Sequence, residues 1–228
     1  MTSAGRMTTV GLIGSGRIGG TVARLAVAAG HQVLLSNSRG PDTLKDLAAE
    51  LGPLARATTG QEAAEGGGLV VVTIPFRAYP SVPAGPLAGK VVIDTCNYYP
   101  RRDGQIPELD SGALTSSELI QRHLPGAAVV KAFNNIYYRH LASLARPSGA
   151  ADRSYLPIAG DSAAAKAALT AFLDSIGYGS VDAGPLAEGW RQQPGTPVYG
   201  TPYGSFQDAK GTPASAGAIR QALAAAER

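Results

Sequence analysis

The chain has 228 residues, a formal net charge of +3 and a single cysteine. This length fits one large domain or a nucleotide-binding domain with a small partner, and a single cysteine excludes an internal disulfide framework. Scattered basic residues argue against nucleic-acid binding, and the absence of any apolar run of about 18 residues argues against a membrane span. The initial segment, MTSAGRM, has no apolar region of the kind found in signal peptides, so we expect a loose tail on a cytoplasmic protein.

Predicted strands and helices alternate from residue 8 to about residue 135. The predicted strands cover residues 8–13, 31–37, 69–74, 90–95 and 127–133. Several are continuous apolar runs, typical of strands covered on both faces of a parallel sheet. The predicted helices cover residues 17–29, 41–51, a short stretch after Thr59 and a stretch after Thr115; the last two begin with capping-box spacing to Glu62 and Glu118. This order predicts an α/β fold, a Rossmann doubly wound parallel sheet.

The remaining sequence predicts a small C-terminal α/β extension. Short strands at 156–159 and 180–182 flank a helix that Asp161 or Ser162 caps, and a last helix is predicted over 214–228. We therefore divide the chain into a Rossmann NADP-binding domain, 1–138, and a small acceptor-binding or dimerisation domain, 139–228. Residues 194–204 are rich in Pro, Gly and Tyr, and they form either a lid over the acceptor or a dimer contact.

A glycine-rich turn follows the first predicted strand. It reads Gly14-Ser15-Gly16-Arg17-Ile18-Gly19 and matches G-x-G-x-x-G between a strand and a helix, the context that predicts a dinucleotide site. In such a site the first glycine allows the tight turn, the second lets the backbone approach the pyrophosphate and the third lets the helix pack on the sheet. Free N–H groups at the helix N-terminus attract phosphate. The alternative is an ordinary glycine-rich turn.

The end of the second predicted strand indicates which dinucleotide binds. NAD-dependent enzymes usually place a carboxylate there for the ribose 2′-hydroxyl, whereas this chain reads Ser36-Asn37-Ser38-Arg39. Serine hydroxyls can donate hydrogen bonds to a 2′-phosphate, and an arginine can pair with it bidentately. The sequence therefore favours NADP(H) over NAD(H). The alternative for Arg39 is a solvated turn residue.

Several segments taken together give a family resemblance. They are GLIGSGRIGG (11–20), LLSNSRGP (34–41), VVVTIPF (70–76), VVIDTCN (91–97), VVKAFNNI (129–136) and LPIAGD (156–161). As a set they resemble the NADPH-dependent coenzyme F420 reductases, also called F420H2:NADP oxidoreductases. The resemblance implies a cytoplasmic homodimer that transfers a hydride directly between NADPH and a deazaflavin, coenzyme F420, with no metal, membrane or nucleic acid involved.

The resemblance also implies site residues. The pyrophosphate would lie on the turn from Gly14 to Gly19, and the 2′-phosphate on Asn37, Ser38 and Arg39. The residues that would line the path to the nicotinamide and the acceptor are Thr73, Ile74, Pro75, Asn97, Ala132, Phe133 and Asn134. For Thr73 and Asn97 the alternative is strand-end capping.

Direct hydride transfer needs the two reacting carbons about 3–3.5 Å apart and little acid–base chemistry. The sequence has no evident Ser-Tyr-Lys or His-carboxylate set, so no catalytic residue is assigned. We expect His31, His123 and His140 to be structural or surface residues, and Cys96 to be a buried apolar residue.

One position departs from the family pattern and keeps other functions open. Family members that use the deazaflavin tend to carry His where this chain has Asn134, and K-A-F-N also resembles the NADPH domain of membrane metalloreductases. One alternative is an NADPH-dependent reductase of a flavin (FMN or FAD), a quinone or a ferric chelate. A hydroxyacid dehydrogenase or imine reductase would need a longer helical C-terminal domain. A third alternative is an NADP(H)-sensing module without activity.

Overall fold

The structure, a computed structural model, describes residues 7–228; the loose tail expected over residues 1–7 lies outside the described residues except for Met7. The strands of the described part are β1 (Thr9–Ile13), β2 (Gln32–Ser36), β3 (Ala55–Ala57), β4 (Leu69–Val72), β5 (Val91–Asp94), β6 (Ala128–Lys131), β7 (Tyr155–Gly160) and β8 (Gly179–Asp182). They form one eight-stranded sheet in the order β3-β2-β1-β4-β5-β6-β7-β8.

Helices cover both faces of this sheet. They are α1 (Arg17–Ala28), α2 (Lys45–Leu51), α3 (Gly60–Gly66), α4 (Ala84–Leu87), α5 (Pro100–Asp103), α6 (Pro107–Asp110), α7 (Ser116–His123), α8 (Tyr138–Ser143), α9 (Ala163–Ser175) and α10 (Ala216–Ala224). Four 3-10 segments accompany them: Pro41–Leu44, Phe76–Ser81, Leu186–Gln192 and Thr201–Tyr203. None of the helices within residues 7–228 has the length and apolar character needed to cross a bilayer.

The pairing of the strands places the carboxyl ends of β1 to β6 at one edge of the sheet. Every neighbouring pair from β3 to β6 is parallel, and the strand order changes direction between β1 and β4. β7 then runs antiparallel to β6, and β8 runs parallel to β7. This is the predicted Rossmann-like doubly wound sheet with an α/β extension, and the predicted fold class is confirmed. Ligands of such sheets bind where the strand order reverses.

The β4 strand shows why the apolar runs are continuous. Val70 and Val72 pack into one apolar cluster, whereas Leu69 and Val71 pack into the cluster on the opposite face. Because both faces are covered, each residue of the strand is buried, and each such side chain contributes about 1.5–3 kcal/mol to the stability of the fold.

Side-chain caps fix several helix starts. Thr59 accepts a hydrogen bond from the Glu62 N–H (3.2 Å) while the Glu62 carboxylate accepts one from the Thr59 N–H (2.7 Å), so this predicted capping box is confirmed. The box at the start of α7 is confirmed by the same pair of bonds. Ser162, rather than Asp161, caps α9, because the Asp161 carboxylate accepts instead from the Leu186 N–H at 2.8 Å.

Local departures from the prediction have local causes. The helix predicted over 41–51 begins as the 3-10 turn Pro41–Leu44 before α2. The prediction that the last helix begins at residue 214 is wrong, since the Ser215 hydroxyl caps Ala218 at 3.2 Å and α10 begins one residue after Ser215.

The division of the chain at residue 138 remains a prediction. The boundary falls at the first residue of α8, which lies between β6 and the reversed strand β7. The two stretches share one sheet, and one apolar cluster contains Val130 and Phe133 from the first stretch together with Leu156, Leu169 and Ile219 from the second.

Candidate functional site

A groove runs along the carboxyl edge of the sheet and consists of two adjoining clefts. The β2 cleft, of about 540 Å³, lies at the ends of β1, β2 and β4. The β6 cleft, of about 620 Å³, lies at the ends of β4, β5 and β6. Both are lined by Gly16 and by Thr73, Ile74 and Pro75, the residues that follow β4. A single elongated ligand can therefore extend from one cleft into the other.

The glycine turn between β1 and α1 has two glycines that the protein itself requires. Gly14 has φ +104°, and a Cβ there would lie 2.2 Å from the Thr73 carbonyl oxygen. A Cβ on Gly19 would lie 2.3 Å from the Gly14 oxygen, so α1 packs too closely on the turn for any side chain. Both observations match the roles predicted for the first and third glycines of the motif.

The middle glycine of the turn serves a different purpose. A Cβ on Gly16 would meet no protein atom within 4 Å, so the space beside it is open. Gly16 is also the N-cap of α1, and no side chain caps that helix. The first N–H groups of α1 therefore face the groove without a side-chain partner, which is the arrangement that binds phosphate.

The turn after β2 presents Ser38 and Arg39 to solvent at the β2 cleft. The Asn37 side chain organises this turn, because its Oδ1 accepts from the Arg39 N–H (2.9 Å) and its Nδ2 donates to Thr43 Oγ1 (2.9 Å). Asn37 thus lines the cleft, but both polar atoms of its amide form hydrogen bonds within the turn. Arg39 is exposed and joins none of the ion pairs among residues 7–228. No carboxylate is present among the described residues that line this cleft.

Asn97 and Asn134 meet across the ends of β5 and β6. Asn97 Nδ2 donates to the Asn134 carbonyl (2.8 Å), and Asn134 Nδ2 donates to Asn97 Oδ1 (3.0 Å) and to the Gln192 carbonyl (2.6 Å). Asn134 Oδ1 is buried and has no hydrogen-bond partner within residues 7–228. Asn97 therefore joins two strand ends instead of capping its own, and an acceptor atom remains beside the β6 cleft.

The predicted stretch 132–134 divides between the core and the cleft. Ala132 and Phe133 are completely buried in an apolar cluster, and neither lines the groove, whereas Asn134 does. Phe133 has φ +61°, the only positive φ of a non-glycine residue in residues 7–228. A left-handed conformation of this kind costs about 1–3 kcal/mol and is common at functional sites. The left-handed conformation of Phe133 interrupts the alternation of side chains between the two faces of the sheet, so the Asn134 side chain faces the cleft.

A buried ionic network lies beneath the β6 cleft. The Asp94 carboxylate accepts from Lys131 Nζ (2.9 Å), from the Ser117 hydroxyl (2.7 Å) and from the Cys96 N–H (2.7 Å). Lys131 also donates to the Cys96 carbonyl. Burial, together with the nearby Asp94 carboxylate, raises the pKa of the Cys96 thiol well above its ordinary value, as expected for a small buried residue. Sequence reasoning missed this network, although a charged residue ending each of two apolar strands was a visible signal.

Aromatic rings form most of the outer wall of the β6 cleft, and sequence reasoning missed them too. The rings are those of Tyr99, Tyr137, Tyr138, Tyr199 and Phe206. The Arg17 guanidinium lies 5.3 Å from the Tyr138 ring centroid, and Arg102 lines the same cleft. No carboxylate is found among the described lining residues, so this half of the groove also suits an anionic ligand.

None of the three histidines lines either cleft, although the His140 ring packs on Tyr137 and Phe206 behind the β6 cleft. A ring nitrogen of each lies within hydrogen-bond distance of a neighbour: His31 with the Ser175 hydroxyl (2.8 Å), His123 with the Val82 carbonyl (2.8 Å) and His140 with the Asp208 carbonyl (2.6 Å). The second ring nitrogen of His31 accepts from the Thr8 N–H at 3.3 Å. These contacts support the expected structural roles.

Comparison with known proteins confirms the family resemblance. Residues 9–98 match the family model described as "NADP oxidoreductase coenzyme F420-dependent". No curated protein matches the chain.

Solved structures share the fold. A hypothetical protein from Sinorhizobium meliloti is 29% identical with a TM-score of 0.72, over 84% of this chain and 92% of its own. A protein from Arthrobacter sp. FB24, described as a "putative f420 dependent nadp-reductase", is 27% identical with a TM-score of 0.65, over 78% of this chain and 85% of its own. The 3-hydroxyisobutyrate dehydrogenase of Mycobacterium tuberculosis, 19% identical with a TM-score of 0.55 over 79% of this chain and 56% of its own, shares the fold alone.

Proposed function

We propose that this chain, whose residues 9–98 carry the domain of the coenzyme F420-dependent NADP oxidoreductase family, transfers a hydride between NADPH and a deazaflavin. The observation that carries the proposal is the composition of one continuous groove. At one end lie the glycine turn and a carboxylate-free β2 cleft, and at the other lies an aromatic cleft. The two clefts meet at Thr73 to Pro75, so a dinucleotide in one cleft would lie beside a ring system in the other.

The residues of the β2 cleft fit NADPH. The open space at Gly16 and the uncapped N-terminus of α1 would receive the pyrophosphate. Ser38 and Arg39, which joins no ion pair within residues 7–228, would hold the 2′-phosphate, for which a lining without a carboxylate among its described residues is favourable. When bound, NADPH would supply the hydride, and the protein would hold the cofactor in the orientation needed for the transfer.

The β6 cleft fits a planar, anionic acceptor. Tyrosine and phenylalanine rings provide flat apolar surfaces on which a conjugated ring packs. Arg17 provides positive charge in a lining that has no carboxylate among its described residues, whereas the charge of Arg102 is paired with Asp103 at 2.8 Å. The Asn97–Asn134 amide pair fixes the floor of the cleft, where the two reacting carbons would need to be held about 3–3.5 Å apart.

The described residues of the β6 cleft include no histidine and no carboxylate, which suits a reaction without a general base. A hydride transfer moves a proton and two electrons together as one unit, so the protein acts by orienting both reactants and excluding water.

A second candidate is an NADPH-dependent reductase of a flavin, a quinone or a ferric chelate. Asn134, in place of the family's His, favours it, and the aromatic cleft would accept a flavin ring equally well. The non-enzymatic candidate is a sensing module that binds NADP(H) and catalyses no reaction. By the family resemblance we also infer a cytoplasmic homodimer. Light scattering of the purified protein tests the dimer, for which the expected mass is twice 23.2 kDa.

The test is stopped-flow oxidation of NADPH with the deazaflavin, FMN, FAD, a quinone and a ferric chelate offered separately, repeated with NADH. Fast reduction of the deazaflavin with NADPH and slow reduction with NADH would support the proposal. Turnover with a flavin or ferric chelate alone would overturn the acceptor and leave the NADPH assignment standing. Tight NADPH binding without turnover by any acceptor would favour the sensing module.

A further inference from the structure

Residues 193–206 form a segment, called the strap here, that lies along the β6 cleft. Two consecutive asparagines after β6 anchor its course: Asn135 Nδ2 donates to the Val198 carbonyl (3.0 Å), and the Asn135 carbonyl accepts from the Gly200 N–H (2.7 Å). Asn134 holds the Gln192 carbonyl just before the strap. The strap thus belongs to the wall of the cleft.

The backbone of the strap depends on glycines with left-handed conformations. Gly195, Gly200 and Gly204 have φ values of +93°, +77° and +92°. A Cβ on Gly200 would lie 2.4 Å from the Phe206 ring, so the ring packs directly on that glycine. The Phe206 ring also contacts the Tyr137 ring, with centroids 5.4 Å apart. These turns give the strap a defined shape beside the cleft.

One contact joins the strap to the opposite wall. The hydroxyls of Tyr199, in the strap, and Tyr99, after β5, lie 2.7 Å apart, and both side chains are half-buried at the cleft. Burial, and secondarily the hydrogen bond with Tyr99, raises the pKa of Tyr199, so the Tyr199 hydroxyl stays protonated at neutral pH.

The Tyr99 side of the bridge is braced. The Arg102 guanidinium lies 4.8 Å from the Tyr99 ring centroid and donates to the Asn97 carbonyl at 2.7 Å. The Tyr99 N–H donates to the Asp103 carboxylate at 2.9 Å. Tyr99 is therefore held in place at the end of the sheet, and its hydrogen bond to Tyr199 fixes the strap relative to the sheet.

We propose that Tyr99 and Tyr199 determine acceptor specificity: their hydroxyl bridge holds the strap at a spacing that admits a planar ring and disfavours a bulky, three-dimensional acceptor. This inference rests on the proposed function of the β6 cleft as the acceptor site. We expect a planar ring to pack against the aromatic walls with the bridge intact, and an octahedral metal chelate, which is bulky in all three directions, to push on the strap and weaken the bridge. The selectivity that one such bond provides is about two- to tenfold.

The experiment compares Tyr99→Phe, Tyr199→Phe and the double variant with wild type. Each Phe keeps the ring and removes one hydroxyl. We expect each single variant to lose about two- to tenfold in the ratio of kcat/KM for the planar acceptor to kcat/KM for ferric EDTA, with KM for NADPH unchanged. Since both substitutions break the same bond, the double variant should lose no more than either single variant.

The matched control is Tyr98→Phe. Its hydroxyl bonds to Asp110 and to the Gly104 carbonyl, and it does not line the β6 cleft, so the ratio should stay at the wild-type value. An unchanged ratio in the Tyr99 and Tyr199 variants, or losses that add in the double variant, would overturn the inference.

A second readout needs no acceptor. Hydrogen exchange at the Gly200 amide, which reports the strap's anchor on Asn135, should become about two- to tenfold faster in both bridge variants and stay unchanged in Tyr98→Phe. A wild-type protein that reduces the flavin but not the deazaflavin would overturn the proposed acceptor, and the ratio test would then proceed with the flavin as the planar substrate. Unchanged Gly200 exchange would overturn the bridge itself.

Discussion

Asp94 and Lys131 are direct partners in the pairing of β5 with β6, and their side chains form an ion pair at 2.9 Å with 0% and 1% of their surface exposed. Each is the last residue of its strand, and the loops that follow carry Asn97 and Asn134. The carboxylate is also bonded to the Ser117 hydroxyl and the Cys96 N–H. The pair therefore fixes the two strand ends on which the floor of the β6 cleft is built.

We expect Lys131→Met to destabilise the fold by about 3–5 kcal/mol, because it leaves the Asp94 charge buried without its cation. Urea unfolding followed by circular dichroism measures this loss. The control is Arg24→Met, which breaks an ion pair with Glu50 whose side chains are 49% and 55% exposed, and which should cost less than about 1 kcal/mol. Similar losses in the two variants would contradict the importance assigned to the buried pair.

Gly16→Ala should weaken NADPH binding while leaving the melting temperature close to that of wild type. The new methyl group meets no protein atom within 4 Å but occupies the space assigned to the pyrophosphate. Gly14→Ala is the contrasting variant, since its Cβ would lie 2.2 Å from the Thr73 oxygen at a φ of +104°, and it should lower stability by roughly 1–3 kcal/mol. Titration calorimetry and thermal unfolding of both variants distinguish the roles; normal NADPH affinity in Gly16→Ala would place the pyrophosphate elsewhere.

Arg39→Ala should weaken NADPH binding about ten- to a hundredfold and leave NADH binding nearly unchanged, since a charge-assisted hydrogen bond is worth roughly 1.5–3 kcal/mol. Dissociation constants for both cofactors are the measurement. Arg220→Ala, which removes another exposed arginine from α10 outside the groove, controls for the loss of one positive charge. Equal weakening of NADPH and NADH by the Arg39 variant would show that this side chain does not read the 2′-phosphate.

Asp103 is predicted to make stability depend on pH. Burial opposes its ionisation, but hydrogen bonds from Arg102 and from the Tyr99 and Arg77 N–H groups prevail and lower its pKa below the ordinary value of 3.8. A lowered folded-state pKa contributes stability above pH 3.8 that is lost as the pH falls through the folded-state pKa. Asp103→Asn should therefore melt below wild type at pH 7, with the gap closing in acid. A gap that is constant from neutral to acid pH would disprove the linkage.

The residues that line the β2 cleft could be predicted to lie together because their signals are local. Gly14 to Gly19 and Ser36 to Arg39 lie in two short turns, each directly after a predicted strand, and parallel pairing brings those turns together at one edge. The roles of Gly14 and Gly19 follow from packing within this unit. The sheet itself could be predicted for the same reason, since continuous apolar runs specify strands covered on both faces.

The lining of the β6 cleft depends on contacts that no local pattern encodes. Tyr99 and Tyr199 are 100 residues apart, and Asn134 meets the Gln192 carbonyl across 58 residues. Ala132 and Phe133 were expected at the site, but the left-handed conformation of Phe133 turns the chain so that the lining of the β6 cleft begins at Asn134. The alternation of side chains along a predicted strand does not indicate that a left-handed residue follows its end.

The reversal at β7 has a consequence for how such a protein can diversify. Because β7 and β8 run against β6, their carboxyl ends lie at the sheet edge away from the groove, and the C-terminal part reaches the groove through a returning surface segment. Under the proposed function, the glycine turn and this returning segment would therefore serve the nucleotide and the acceptor separately. Substitutions in residues 193–206 would reshape one wall of the β6 cleft without changing the glycine turn.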